Sequence, residues 1–281
     1  MSKIQPGLKF MGGKFKMAAK IYRLAPPTII DNPAKGYIHR VYGYAGGLGE
    51  MYNWPYGGIS EIANDINHQI TNFWRVMQAD KPFQEFKRIV EAIAFSRPEF
   101  NHYHTRLNPL TIDDQPNVKE AVSFFIRCRL SRSGGMKSFA PLSKTRVRRG
   151  RNEQASAWQT TICGLPEVHD RLMRIAIECL DGPKLIKQED TPRTLFYLDP
   201  TYLPEVVNTK DPYAFTMTKE QHEDLLDVLL AVKGYVMLSG YRNKLYDTKL
   251  KDWNREDINV DNSMASGAQK ARRIESIYMN Y

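Results

Sequence analysis

The chain is 281 residues long, carries 40 Lys+Arg against 31 Asp+Glu for a formal net charge of +9, and is 42% hydrophobic. That is enough apolar material for one large core, or a core with an inserted lobe, and it excludes wholesale disorder. No apolar run reaches the roughly 20 residues that a bilayer crossing needs, and the longest, around Leu225 to Val236, is broken by Asp227 and Lys233.

Lys3, Lys9, Lys14 and Lys16 precede no apolar h-region, so no signal peptide is expected. Residues 15 to 24 (Phe15, Met17, Ala18, Ile21, Tyr22) recur at helical spacing, and the helix must end before Pro26-Pro27. Tyr37 to Tyr42 reads as a short strand running into the turn Gly43-Tyr44-Ala45-Gly46-Gly47-Leu48-Gly49. Ser60 to Asn67 reads as a second strand, with Asn64-Asp65 at its carboxyl end, followed by a helix from about Gln69 to Met77. Residues 70 to 160 are helical at first (Phe83 to Phe95), then turn-rich, aromatic and basic, with Gly134-Gly135 and Pro141 as breaks.

Within that region lie Arg127, Arg129, Arg132, Lys137, Lys144, Arg146, Arg148, Arg149 and Arg151, with no acid among them. Cations at this density repel one another unless solvated or matched to a polyanion. A solvated basic loop is one reading. Nucleic acid is the favoured one, because a phosphate backbone gains from such a stripe through counterion release.

An α/β rhythm then returns. Pro166 to Leu180 has the spacing of a helix, with Val168, Leu172, Ile175 and Cys179 on one face. Thr194 to Leu198 is a continuous apolar run of the kind found in central parallel strands. Thr218 and Gln221 form a capping box for a helix through Leu225, Leu226, Leu229 and Leu230, closed by Gly234. Tyr235 to Ser239 is a further buried strand, Asn243 to Trp253 a short helix, and Glu275 to Asn280 a last strand. The fold expected is one α/β domain interrupted by a basic insertion. Cys128, Cys163 and Cys179 fit neither a disulfide framework nor a Cys-x-x-Cys metal site, and are expected to be reduced, intracellular core residues.

Two places can carry chemistry. A strand, a glycine turn and a second strand ending in an acid is the layout of a nucleotide-type site at the carboxyl edge of a parallel sheet, although glycine turns are common. Thr194 to Leu198 runs straight into Asp199-Pro200-Thr201-Tyr202. There a carboxylate, a carbonyl and an aromatic ring in one stiff turn suit a flat ring bearing an exocyclic amine; an ordinary Asx-Pro turn is the alternative. His102 and His104 lack a third ligand at metal spacing, no Gly-x-Ser-x-Gly elbow exists, and His222 reads as a capping or surface residue.

These motifs, in this order, resemble the alpha-type DNA adenine methyltransferases of bacteria and phages. Gly12-Gly13-Lys14 is similar to the family's N-terminal Gly-Gly-Lys, and Tyr44-Ala45-Gly46-Gly47 to its Phe-x-Gly-x-Gly cofactor loop. Asp65-Ile66 resembles the ribose-binding acid and its adenine-packing neighbour, Asp199-Pro200-Thr201-Tyr202 the catalytic Asp-Pro-Pro-Tyr, and Leu238-Ser239-Gly240-Tyr241 a later strand beside the active site. The resemblance implies a Rossmann-like sheet formed by residues 1–69 and 161–281. It also implies an inserted, mainly helical target-recognition domain over residues 70–160, carrying the nine basic residues named above.

The implied cofactor is S-adenosyl-L-methionine, with S-adenosyl-L-homocysteine as product and no metal, held by Lys14, Tyr44, Ala45, Gly46, Gly47, Asp65, Ile66 and Asp199. Asp199 and the Pro200 carbonyl would hold the amine of a flipped-out adenine, and Tyr202 would stack on it. The implied partner is double-stranded DNA, with a restriction endonuclease as a candidate second partner. A monomer or weak dimer in the cytoplasm of a prokaryotic or phage-infected cell, with no membrane contact, is expected. Two positions depart from the pattern: Leu48 stands where the loop's second glycine is usual, with Gly49 one place late, and Thr201 replaces the second proline. The alternative kept open by Thr201 is a weak or inactive DNA-binding homologue; a third reading is action on RNA or free nucleotides, the dense basic stretch arguing against the latter.

Overall fold

The computed structural model describes residues 4–104, 115–206, 215–260 and 273–281. The strands are β1 (His39–Tyr42), β2 (Ser60–Asn64), β3 (Val147–Arg148), β4 (Arg151–Asn152), β5 (Ala176–Glu178), β6 (Thr194–Leu198), β7 (Tyr235–Gly240), β8 (Asn254–Val260) and β9 (Arg273–Met279). The α-helices are α1 (Ala18–Tyr22), α2 (His68–Gln78), α3 (Asp80–Glu91), α4 (Arg97–His104), α5 (Val118–Leu130), α6 (Glu153–Cys163), α7 (Leu165–Leu172), α8 (Gly182–Glu189), α9 (Lys219–Leu229) and α10 (Lys244–Lys249). The fold is α/β with a mostly parallel sheet, as expected. Two compact units divide it: residues 1–19, 46–55 and 65–179, and residues 20–45, 56–64 and 180–281.

In the second unit the strands follow the order β2-β1-β6-β7-β9-β8. β1 is parallel to β2 and β6, and β6 is parallel to β7, while β9 runs antiparallel to both β7 and β8. Every residue of β6 is buried, as a strand flanked on both edges and covered on its faces must be. Val41, Phe196, Leu198, Val236 and Leu238 share a core with Leu185 and Ile186 of α8 and Leu225, Leu226 and Leu229 of α9. Thr218 caps α9, its hydroxyl accepting from Gln221 N while the Gln221 side chain accepts from Thr218 N. Between β1 and β2 a buried Arg40 donates to Glu61 at 3.2 Å and to the hydroxyls of Tyr42 and Tyr37.

The first unit is helical. Phe73 of α2 stacks on Phe125 of α5 (5.8 Å, 6°) and meets Phe86 of α3 edge-on at 5.7 Å. Trp158 of α6 lies 5.5 Å from Phe125 and donates its indole N–H to the Ile93 carbonyl at 2.8 Å.

Several elements differ from those read in the sequence. The spacing of residues 166–180 suggests one helix, but α7 stops at Leu172 and β5 follows. The Gln78 amide takes the carbonyls of Leu172 and Ile175 at 2.9 and 2.7 Å, replacing the bonds a continuing helix would make. Cys128 is buried and Cys179 half-buried, whereas Cys163 is exposed, so not all three are core residues. His222 is neither a cap nor a surface residue: it is 1% exposed.

Candidate active site

The parallel register of β1 and β6 pairs Tyr42 with Tyr197. The turn that leaves β1 at Gly43-Tyr44 and the turn that leaves β6 at Asp199 therefore share one carboxyl edge of the sheet, where ligands of open α/β sheets sit. The β1 turn touches the end of β6. Gly43 N donates to the Tyr197 carbonyl at 3.2 Å, and a Cβ at Gly43 would come within 2.5 Å of Leu198 Cδ2, so a side chain there would have to displace the leucine tip. Asn64, at the end of β2, donates to the carbonyls of Gly43 and Leu180 and accepts from Leu180 N, while Ala45 N donates to its carbonyl. Tyr44 lies across the start of α8, where a Cβ on Gly182 would come within 2.4 Å of its hydroxyl oxygen.

In the Asp199-Pro200-Thr201-Tyr202 turn, Pro200 is buried and Asp199, Thr201 and Tyr202 are half-buried. Burial raises the phenol pKa of Tyr246, and the charges of Tyr44, Tyr278 and Asp199 add to that rise, which places Tyr44 and Asp199 in one electrostatic neighbourhood. The departure at Thr201 has a structural use: its hydroxyl oxygen accepts from Met217 N at 2.9 Å, a bond proline cannot make. His222 pairs through Nδ1 with the Tyr246 hydroxyl at 2.9 Å. Burial pushes its imidazole down to about 4, opposed by the backbone of Thr201.

The Tyr202 hydroxyl donates to both carboxylate oxygens of Glu275, at 3.1 and 3.0 Å, and its ring lies 4.2 Å from that of Tyr241 at an interplanar angle of 30°. Sequence reasoning missed Glu275 and Tyr246. Both are identifiable only through partners far along the chain.

The first unit holds Lys14, Gly46, Gly47, Asp65 and Ile66. The Asp65 carboxylate accepts from Gly46 N through Oδ2 and from Asn67 N through Oδ1, both at 2.9 Å. Burial raises its pKa, and these two bonds oppose the rise. Asn67 in turn caps α2, accepting from Gln69 N at 3.0 Å. Ile66 is left 48% exposed. Gly46 and Leu48 both have positive φ, 46° and 52°, so the loop makes its left-handed turn at Leu48 without the glycine expected there. That conformation costs a non-glycine residue roughly 1–2 kcal/mol, offset by complete burial of the leucine side chain. Gly47 and Gly49 press on Phe10 and Phe15, and Lys14, between those two, is buried with its amine donating to the Gly12 carbonyl at 3.3 Å.

The basic stretch is also in the first unit. β3 and β4 form an antiparallel hairpin whose turn residues Arg149 and Gly150 have φ of 53° and 72°, the backbone of a type I′ turn. Arg132, Lys137, Lys144, Arg146, Arg148, Arg149 and Arg151 are exposed. Arg146 lies 3.6 Å from Glu153, and Arg149 donates to Thr160 Oγ1 at 3.0 Å. Arg129 and Arg127 are less exposed than the other seven. Arg129 spends its guanidinium on the carbonyls of Gly7 and Pro6, and burial pushes its pKa down to about 10. Arg127 is half-buried, with its pKa lowered by desolvation.

Among the described residues no cluster of His, Cys, Asp and Glu could hold a metal ion, and no helix is long and apolar enough to cross a membrane. The side chain of His104 lies outside the described residues. No curated protein matches the chain. Residues 10–265 match the family model of the D12 class N6 adenine-specific DNA methyltransferases, and with most of its length covered the chain belongs to that enzyme family.

Proposed function

We propose that this chain methylates N6 of adenine at specific sites in double-stranded DNA, using S-adenosylmethionine and acting on a base turned out of the duplex. The observation that carries the proposal is the shared sheet edge, where the β1 turn packs on the end of β6 immediately before Asp199. The residues present suit the cofactor. Ile66 offers an exposed apolar side chain beside Asp65, whose carboxylate keeps lone pairs beyond the two it gives to Gly46 and Asn67. Ile66 is assigned to the cofactor's adenine, Asp65 to its ribose hydroxyls, and Lys14, Tyr44, Ala45, Gly46, Gly47 and Asp199 to the remaining contacts. When bound, S-adenosylmethionine supplies an electrophilic methyl carbon on a sulfonium sulfur and is left as S-adenosylhomocysteine.

The adenine amine is a weak nucleophile because its lone pair is delocalised into the ring. Asp199 and the Pro200 carbonyl accept its two hydrogens and favour the tetrahedral nitrogen on which positive charge develops. Fixed acceptors of this kind contribute about 3 kcal/mol to lowering a barrier. Asp199 then lies where the surplus proton of the methylated nitrogen can be taken up. Tyr202 stacks on the extruded base, which cannot be reached inside a duplex. The reaction needs no metal.

Residues 70–160 are proposed as the target-recognition region. Within it Arg132, Lys137, Lys144, Arg146, Arg148, Arg149 and Arg151 hold phosphates, while Arg129 is committed to the carbonyls of Gly7 and Pro6. The protein is proposed to act in the cytoplasm, where its DNA lies. Because the Thr201 hydroxyl anchors Met217, its presence in place of proline has a reason other than lost activity.

The test is to incubate the protein with unmethylated duplex DNA and labelled S-adenosylmethionine, then identify the modified nucleoside by mass spectrometry. N6-methyldeoxyadenosine is the expected product. Label in cytosine, label accepted only by RNA, or no label at all would overturn the proposal.

A further inference from the structure

Glu275 is a carboxylate on a sheet strand, only 3% exposed. Its Oε1 accepts from the Ser239 hydroxyl at 2.7 Å, and both of its oxygens face the Tyr202 hydroxyl at 3.1 and 3.0 Å. It thus ties β9 to β7 and to the turn that leaves β6. Burying a carboxylate is costly, and a well-packed apolar residue would stabilise such a position at least as well. The strands do not need it either: β7 and β9 already pair through their main chains, with Ser239 opposite Ile277 and Gly240 opposite Ser276. What the carboxylate adds is a fixed orientation for one side chain. Tyr202 is held at its hydroxyl by Glu275 and on one face by Tyr241, which fixes the ring plane.

We propose that Glu275 is a positioning residue for the methyl-transfer site, holding the Tyr202 ring in the plane on which the extruded adenine stacks; this rests on the function proposed above. The carboxylate touches neither base nor cofactor. It acts through the tyrosine hydroxyl. Glu275 lies beyond residues 10–265, the part of the chain matched to the family, so the C-terminal strand contributes to the site.

The test measures kcat, KM for S-adenosylmethionine and thermal stability for Glu275→Ala, Glu275→Gln, Tyr202→Phe and the double variants. Loosening the ring is expected to lower kcat about tenfold in Glu275→Ala, with KM for the cofactor nearly unchanged. Glu275→Gln, which still accepts from the hydroxyl, should recover most of the loss. Tyr202→Phe should resemble Glu275→Ala, and combining the two should cost no more than the worse single change. Should Glu275→Ala fail to fold, Glu275→Gln with Tyr202→Phe gives the same comparison. As a readout independent of turnover, 3-fluorotyrosine at position 202 should show a single sharp fluorine resonance in the otherwise unaltered protein and a shifted or broadened one in Glu275→Ala.

An unchanged kcat in Glu275→Ala, or losses that add in the double variant, would overturn this inference and leave the function standing, provided Asp199→Ala is inactive. Absence of methylation by the unaltered protein would overturn the function itself and the inference with it.

Discussion

The main-chain N–H of Gly46 donates to the carboxylate of Asp65 at 2.9 Å, so the glycine loop and the acid that ends the second strand are one bonded structure. The acid shapes the loop, and the function proposed gives it a second duty, offering its remaining lone pairs to the cofactor. Asp65→Ala should leave Gly46 N and Asn67 N without their acceptor and lose roughly 1–3 kcal/mol of stability. It should also weaken S-adenosylmethionine binding by at least about tenfold. Asp65→Asn, which keeps one acceptor oxygen, should be less destabilised. Thermal denaturation and titration calorimetry measure the two effects, and cofactor affinity unchanged in Asp65→Ala would refute the assignment.

Gly49 is fixed by contact rather than by conformation. A Cβ there would lie 2.7 Å from the backbone nitrogen of Phe15, an atom that cannot swing aside. Gly49→Ala should destabilise the protein by roughly 1–3 kcal/mol through overpacking. A denaturant titration reads this, and a stability equal to that of the unaltered protein would show that the 10–15 segment yields freely.

The hairpin formed by β3 and β4 should bind DNA through charge. Arg148→Ala and Arg151→Ala should each weaken binding at low salt and flatten the slope of log affinity against log salt by about one. Arg129→Ala should behave differently, lowering stability, since its guanidinium is committed to the carbonyls of Gly7 and Pro6. Fluorescence anisotropy over a range of KCl concentrations separates the two classes. Equal slopes for all three variants would contradict the division.

His222 makes stability depend on pH. Its pKa in the fold, about 4, lies below the ordinary 6.5 because burial disfavours the charged ring. The neutral ring's contribution is thus fully present above pH 6.5 and is lost as pH falls towards 4. The loss across that window is about 3 kcal/mol. His222→Gln should remove this part of the acid sensitivity, as measured by urea unfolding at pH 7, 5.5 and 4.5. Parallel curves for the two proteins would refute it.

Much of the frame is legible in the sequence because it is local. The apolar runs of β6 and β7, the Thr218–Gln221 capping box and the stiff turn at Pro200 each depend on a few neighbouring residues. What escapes is what depends on distant ones. α5 is buried on nearly every side, so no amphipathic period betrays it, although Asn117, accepting from Glu120 N, marks its start. β8 goes unread because its side chains are mostly exposed and Arg255, Glu256 and Asp257 follow one another, as suits an edge strand. The boundary at Leu172 is set by Gln78, 94 residues away, and Glu275 acquires its meaning from Tyr202, 73 residues away. Of the cations between Arg127 and Arg151, sequence shows the density but not that Arg129 turns inward.

Labelled methyl transfer to duplex DNA by Asp199→Ala, set beside the unaltered protein, reads whether the turn after β6 carries the reaction. Loss of the carboxylate should lower the rate by about 100-fold or more, with the fold intact by circular dichroism and cofactor binding still measurable. A variant that forms N6-methyladenine at the rate of the unaltered protein would contradict the account.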